Sequence, residues 1–280
     1  MPRQPRLDAP GLLQHVMARG IQRCRIFRDH EDYADFLARL GTVLTATQTR
    51  CYAWALLPDH FHLLLRSQEA RLSRVMRSLM TGYAVMFNRR HRRNGHLFQN
   101  RYKSIICEEE PYFLELIRYI HLNPLRAGIV ESLSQLGGYP WTGHSALTGG
   151  QSNGWQETGE VLGRFSEKRS QARLRYRSFI AAGLDQREIP DLEGGGRMRS
   201  STGKGNSLAD KGGDPEIPEI PGIPGIPGVP GIHDERVLGK GGFVEKVLKE
   251  TGLEGTVRRP PMPLSELVGT VSEWFKVDAE

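Results

Sequence analysis

The sequence predicts an α+β fold: an antiparallel sheet built in βαββαβ order, with helices on one face and one further helix appended. Three observations predict it. Short apolar runs alternate with longer segments of helical periodicity over the first part of the chain. Two of the runs, "RCYAWALL" and "HFHLLLR", are separated only by Pro58-Asp59, a turn that joins antiparallel strands. A third segment of helical periodicity follows the last apolar run and supplies the appended helix.

The strands are predicted where β-branched, aromatic and aliphatic residues concentrate, at 12–21, 50–57, 60–66 and 101–108. The first two helices are predicted at 30–47 and 71–90, each with apolar residues spaced three or four apart. These apolar stripes comprise Tyr33, Phe36, Leu37, Leu40 and Val43 in the first helix, and Leu72, Val75, Met76, Leu79, Tyr83 and Met86 in the second. Stripes of this kind are typical of a core, so we interpret both as packing against the sheet.

The third helix begins near Glu108, because the acids of "EEEP" and a first-turn proline suit a helix N-terminus. Tyr119 and Asn123 are four residues apart, which puts them on one face of this helix. Pro124 disfavours helical geometry at Asn123, so the sequence predicts that the helix ends there.

His60 and His62 belong to a predicted strand, on which successive side chains alternate between faces. Both imidazoles therefore point to one side while Phe61 points into the core. Two imidazoles on one strand face can hold a divalent cation, and a neutral amide such as that of Asn123 favours an oxygen-loving ion, Mg²⁺ or Mn²⁺. A tyrosine hydroxyl, with a pKa near 10, is a poor nucleophile unless a neighbouring group assists it. Tyr119 opposite this pair would have such assistance.

Each of these residues also has a simpler interpretation. A His-x-His pair on a strand is often a surface or packed pair. Tyr119 could be an ordinary half-buried core tyrosine. Asn123 followed by Pro124 is also the pattern of an N-cap and first-turn proline opening a short helix at "PLRAG".

Four segments taken together resemble one known family. The segments "HVMARGIQRCRIFRDHEDYADFLARL", "WALLPDHFHLLLR", "NGHLFQNRYKS" and "YFLELIRYIHLNPLRAGIV" are similar to those of the HUH single-tyrosine transposases, in particular the REP-associated tyrosine transposase branch. The resemblance covers roughly residues 8–147. It puts the family's metal-binding histidines on His60 and His62, its third metal ligand on Asn123, and its nucleophile on Tyr119.

The resemblance implies a ferredoxin-like catalytic domain, Mg²⁺ or Mn²⁺ as cofactor, and cleavage and strand transfer of single-stranded DNA through a 5′-phosphotyrosine. The implied partners are DNA hairpins of repeated extragenic elements, bound by a monomer or a homodimer. Under a second hypothesis, the protein has the same fold but no catalytic activity, and it is a regulator that binds DNA or RNA hairpins.

The positive charge of the chain lies in its first half. Residues 1–147 carry 20 Lys and Arg against 12 Asp and Glu, a net charge of +8, whereas the remainder carries 18 against 20. Such a surplus favours a polyanionic partner, and arginine, which dominates it, is suited to phosphate contacts. Candidate DNA contacts, chosen by charge and position, are Arg19, Arg23, Arg90, Arg101 and Lys103.

The three cysteines are widely spaced and include no C-x-x-C pair, which argues against a zinc ribbon or a disulfide scaffold. No apolar stretch approaches membrane-spanning length, and the N-terminus lacks the pattern of a signal peptide. From these features we expect a cytoplasmic, nucleoid-associated protein with no membrane partner.

Composition divides the chain into four segments. Residues 1–147 are the predicted catalytic domain, and 148–192 are a helical extension. Residues 193–232 are rich in Gly and then Pro, ending in "EIPEIPGIPGIPGVPGI", and are interpreted as a disordered linker. Residues 233–280 are a small helical tail that resembles a truncated helix-turn-helix module.

Overall fold

The computed structural model describes residues 7–151, 153–184, 236–239 and 241–253. The predicted linker at 193–232 and residues 254–280 of the predicted helical tail lie outside the described residues. Within the described part no helix combines the length and apolarity that crossing a bilayer requires.

The first seven elements follow the predicted order. They are β1 (Leu13–Arg19), α1 (His30–Ala46), β2 (Arg50–Leu57), β3 (His60–Arg66), α2 (Leu72–Arg90), β4 (Lys103–Cys107) and α3 (Glu109–Arg126). After them come α4 (Leu133–Gly138), α5 (His144–Thr148), α6 (Thr158–Gly163), α7 (Arg169–Ala181), β5 (Val237–Leu238) and α8 (Gly241–Glu250). The predicted α+β class and the βαββαβ order of the core are confirmed.

The sheet has the strand order β2-β3-β1-β4-β5, and its first four strands are antiparallel. α1 and α2 cover one face, where Phe36 and Tyr83 pack with the strand residues Trp54 and Phe61 in one apolar cluster. α3 covers the opposite face in a second cluster that includes Leu64. The two helices on one face and the tyrosine-bearing helix on the other agree with the prediction.

α3 is longer than predicted. It continues through Pro124 to Arg126, so Asn123 lies inside the helix. Both sequence-based alternatives for this residue, a helix end and an N-cap of a new helix, are therefore wrong. Pro124 cannot donate to the carbonyl four residues back, but the Ala127 N–H still donates to the Asn123 carbonyl at 2.9 Å. Burial of the flanking Ile120 and Leu122 in the core compensates for the lost bond.

Residues beyond 147 pack on the same core as α3. Val161 of α6 and Tyr176 of α7 belong to its apolar cluster, and Trp54 of β2 donates its indole N–H to the Gln156 side-chain oxygen at 2.9 Å. The division of the chain at residue 147 stays a prediction, but these contacts join the predicted extension closely to the sheet.

The described part of the tail adds to the sheet edge. β5 pairs in parallel with β4, with Val237 opposite Ile106, and the Ile106 N–H donates to the Arg236 carbonyl at 2.8 Å. Val247 and Leu248 of α8 pack with Leu7 and Ile106 in a third apolar cluster. This added strand covers backbone groups of β4 that would otherwise be exposed at an edge.

Candidate active site

The register of β1 and β3 fixes the direction in which the side chains of His60 and His62 point. Arg19 is opposite His60 and Met17 is opposite His62, so these four side chains share the sheet face that α3 covers. Phe61 points the other way into the α1–α2 cluster and is fully buried. The ring centroids of His60 and His62 are 5.2 Å apart. The alternation of the strand therefore sets two imidazoles side by side, as the sequence suggests.

Tyr119 of α3 faces the same group. Its ring centroid lies 5.8 Å from that of His62 in an edge-on arrangement, and the residue is only 6% exposed. The apolar residues of α3 dock it on the sheet, and this docking turns Tyr119 toward the strand that bears the histidines. The phenol and the imidazole pair thus lie on facing elements.

His15 is a site residue that sequence reasoning missed. Its Nε2 lies 2.9 Å from His62 Nδ1, its ring stacks on that of His62, and its ring centroid is 5.8 Å from that of Tyr119. His15 is fully buried. A signal was available: His15 is two residues from Met17, so a β1 placed next to β3 puts it on the histidine face.

The hydrogen bonds of the two histidines define which nitrogens can bind a cation. Asp59 accepts from His60 Nδ1 at 2.6 Å, so His60 carries its lone pair on Nε2. His62 Nδ1 is engaged by His15, which leaves Nε2 of His62 as its ligand atom. Burial lowers the pKa of His60 and lowers that of His62 further, where His15 also contributes. Both imidazoles are thereby held in the neutral form that metal binding needs.

Asn123 lies one helical turn beyond Tyr119 and is half-buried. Its Nδ2 donates to the Tyr119 carbonyl at 3.4 Å, so its Oδ1 is the atom that can act as a ligand. Two imidazole nitrogens and one amide oxygen form a donor set that suits Mn²⁺ and accommodates Mg²⁺. The residues present therefore fit a divalent cation.

Arg126, a second residue that sequence reasoning missed, lies over the Tyr119 ring, with its guanidinium carbon 5.5 Å from the ring centroid. The two residues are seven apart on α3, and the continuation of the helix past Pro124 is what brings them together. A cation at this position favours the binding of a phosphate next to the ring.

The candidate DNA contacts separate into groups. Arg19 and Lys103 share the face of the histidine pair, since Lys103 is opposite Met17 and Arg19 is opposite His60. Arg23 is exposed in the turn that follows β1, and Arg101 is exposed just before β4. Arg90 lies apart, at the end of α2 on the other side of the sheet, and its guanidinium contacts the carboxylates of Asp29, Glu31 and Asp32.

The Asp29–Asp32–His91 group has carboxylate and imidazole atoms close enough together for a metal ligand set. The negative charge of the buried carboxylate in this group is already compensated by a cation. The Arg90 guanidinium lies 2.6 Å from the buried Asp32 carboxylate, which also accepts from the Arg28 N–H at 2.8 Å and lies 2.9 Å from His91 Nε2. We interpret the group as an ion-pair cluster that ties α1 to α2.

A sheet face with two histidines, covered by a helix that turns one tyrosine toward them, is the arrangement that the resemblance to the single-tyrosine HUH transposases implies. Residues 9–123 match the family model described as "Transposase IS200 like", so this part of the chain has the sequence pattern of that family. The match supports a DNA transposase, an enzyme that breaks and rejoins DNA strands, and the family in general depends on a divalent metal.

Two solved structures are similar to this chain. One is described as a REP-associated tyrosine transposase bound to a REP hairpin; it is 16% identical, and the alignment covers 56% of this chain and 98% of that one, with a TM-score of 0.44. The other is a putative transposase from Deinococcus radiodurans, also 16% identical, with 48% and 98% covered and a TM-score of 0.31. No curated protein matches the chain.

Proposed function

We propose that this protein cleaves single-stranded DNA by attack of the Tyr119 hydroxyl on a phosphodiester and then transfers the strand. The observation that carries the proposal is the position of the Tyr119 ring, 5.8 Å from the His62 ring on the face that also bears His60. A nucleophile and a potential cation site thus flank one space, where a phosphate would contact both.

In the proposed step the phenolic oxygen of Tyr119 releases its proton to water and forms a bond to phosphorus. The bond from phosphorus to the 3′ oxygen breaks, and that oxygen leaves as a 3′-hydroxyl once it takes up a proton. The product is a 5′-phosphotyrosine, which conserves the energy of the phosphodiester. Attack by another 3′-hydroxyl reverses the chemistry and joins the strands without ATP.

The chain's own groups support this step in different ways. Arg126, whose guanidinium lies over the Tyr119 ring, favours the negative charge of a phosphate bound there. Arg19 and Lys103, on the same sheet face, are suited to the flanking phosphates. His60, His62 and Asn123 would hold Mg²⁺ or Mn²⁺, which when bound would polarise the phosphate and stabilise the leaving oxygen.

We infer that His15 is a positioning residue. Its contact with His62 Nδ1 orients the ring and leaves Nε2 for the cation, the role that second-shell partners of metal-binding histidines commonly have. The hydrogen bond from His60 Nδ1 to Asp59 does the same for the first histidine of the pair.

For the substrate, we propose hairpins of repeated elements, with a cytoplasmic, nucleoid-associated enzyme. The motif resemblance to the REP-associated branch and the charge of +8 over residues 1–147 support this assignment. A REP hairpin is also the ligand bound in the first of the two similar structures.

The test is to incubate the protein with labelled hairpin oligonucleotides from the flanks of its own gene, with and without Mn²⁺. The wild-type protein should form a covalent adduct that survives a denaturing gel, and Tyr119→Phe should bind the hairpin without forming it. Tyr112→Phe, on the same helix seven residues earlier, is the matched control and should behave as wild type. Adduct formation by Tyr119→Phe would rule out this nucleophile, and chelator-insensitive binding without any cleavage would indicate a silent binding protein.

A further inference from the structure

A groove of about 1030 Å³ lies on the molecule away from the candidate active site. One wall is the outer side of α2, and the other is the segment 95–102, which leads into β4. α2 covers the sheet face opposite α3, so this groove is distinct from the space between Tyr119 and the histidine pair.

The groove is strongly basic. Arg71, Arg74 and Arg77 line it along α2 at a spacing of three residues, and Arg101 lines the opposite wall. All four are exposed, and among the described residues none of them forms an ion pair with an acid. Glu69 is the only carboxylate residue among the groove's lining residues. The groove therefore presents a row of uncompensated guanidinium groups, which suits a polyanion.

The floor and rim of the groove are apolar as well as basic. Met80 and Tyr102 are largely buried beneath it, Phe98 is partly exposed, and Val85 is 63% exposed at the rim. Guanidinium groups next to apolar and aromatic surface are the combination that binds a single-stranded nucleic acid, whose phosphates contact the arginines while its bases pack against the apolar groups. A duplex would present its phosphates but keep its bases stacked inside.

The groove also connects to the active-site face through the chain itself. Leu97 accepts from the Ile21 N–H at 2.9 Å, and the Gln99 N–H donates to the Arg19 carbonyl at 2.9 Å. The groove wall is therefore paired with the end of β1, where Arg19 lies opposite His60. A DNA strand that leaves the catalytic face beside Arg19 would therefore reach the groove wall that carries Arg101.

We propose that this groove binds single-stranded DNA that flanks the cleaved phosphodiester. In this proposal the DNA strand follows a path from the histidine face past Arg19 and Arg101 to Arg74 and Arg77. The path rests on the proposed function for its starting point, whereas the groove's affinity for single strands stands on its charge and surface alone. The groove thereby sets how much flanking strand the enzyme engages.

The test uses the full chain with Arg74→Gln/Arg77→Gln and, as a charge-matched control, Lys168→Gln/Arg169→Gln at the exposed start of α7. Binding is measured by fluorescence anisotropy with oligothymidylate probes of about 4 nucleotides, at the lower limit of a single-strand binding site, and about 30 nucleotides, longer than such a site. The two groove arginines project from the outer side of α2, so circular dichroism should show both variants folded.

The groove variant should bind the long probe about tenfold more weakly, and its slope of log affinity against log salt should fall by about 1.4, since each single-strand phosphate contact contributes roughly 0.7. The short probe should lose less affinity than the long probe, because it spans fewer of the arginines, and the control variant should change by less than twofold with either probe. If the groove variant binds the long probe with the same affinity and the same salt slope as the wild-type protein, the proposal is wrong. A loss of affinity seen only with duplex probes would also overturn it. If the groove variant loses affinity for the long probe but the wild-type protein forms no covalent adduct, the groove is a single-strand binding site and the proposed cleavage chemistry is wrong.

Discussion

Tyr176→Phe removes a single oxygen from the interior of the molecule, and its effect can be worked out from the contacts of that atom. The Tyr176 hydroxyl lies 2.8 Å from His121 Nδ1 on α3 and 2.8 Å from His144 Nδ1 on α5. Tyr176 and His121 are fully buried and His144 is 4% exposed. A hydroxyl has one proton, so it donates to one imidazole and accepts from the other, which fixes opposite tautomers.

The expected cost follows from two lost hydrogen bonds in a site that water does not reach. Phenylalanine fills almost the same volume, so the cavity contribution is small. Two buried imidazole nitrogens lose their partner, and each such loss costs about 1–3 kcal/mol. We therefore expect Tyr176→Phe to lower the free energy of unfolding by about 2–6 kcal/mol. Because His121 lies two residues from Tyr119, the loosened helix should also slow adduct formation.

The assay is urea unfolding followed by circular dichroism, in which a loss of this size shifts the midpoint by about 1–3 M at a slope of about 2 kcal/mol per M. A double-mutant cycle with His144→Phe separates the energy of the hydrogen bond between Tyr176 and His144 from the other effects of each substitution. The double variant should lose less than the sum of the single variants, because the hydroxyl has fewer partners left to lose. A loss below about 0.5 kcal/mol for Tyr176→Phe, or strict additivity in the cycle, would refute the reasoning.

Two further predictions concern the histidines. His15→Ala should weaken Mn²⁺ binding about 10- to 100-fold in calorimetry, because His62 loses the contact that orients its ring; an unchanged affinity would show that His15 does not position it. Burial lowers the pKa of His144 from 6.5 to about 4, so the unfolded chain takes up its proton first as the pH falls. The stability from this group is complete above pH 6.5 and should decline by up to about 3 kcal/mol toward pH 4; His144→Gln should flatten that decline in urea titrations, and an equal decline in the variant would contradict the assignment.

The fold was predictable because its signals are local. Alternation in β3 decides that His60 and His62 share a face, and the three-and-four spacing in α1 and α2 decides which side packs on the sheet. The end of α3 was not predictable in this way. The preference of the residue before Pro124 for extended backbone is a local effect of modest size, and the burial of Ile120 and Leu122 outweighs it.

The sequence by itself determined the class of fold, the facing of the histidine pair, and the candidate roles of Tyr119 and Asn123, which remain predictions until cleavage is measured. Only the tertiary structure decided that His15 bonds to His62, that Arg126 lies over Tyr119, and that Arg90 is held by carboxylates of α1. The physical reason is the range of the forces involved. Strand alternation and helical period act between neighbours in the chain, whereas those three contacts depend on how whole elements pack, which the period of any one element does not specify.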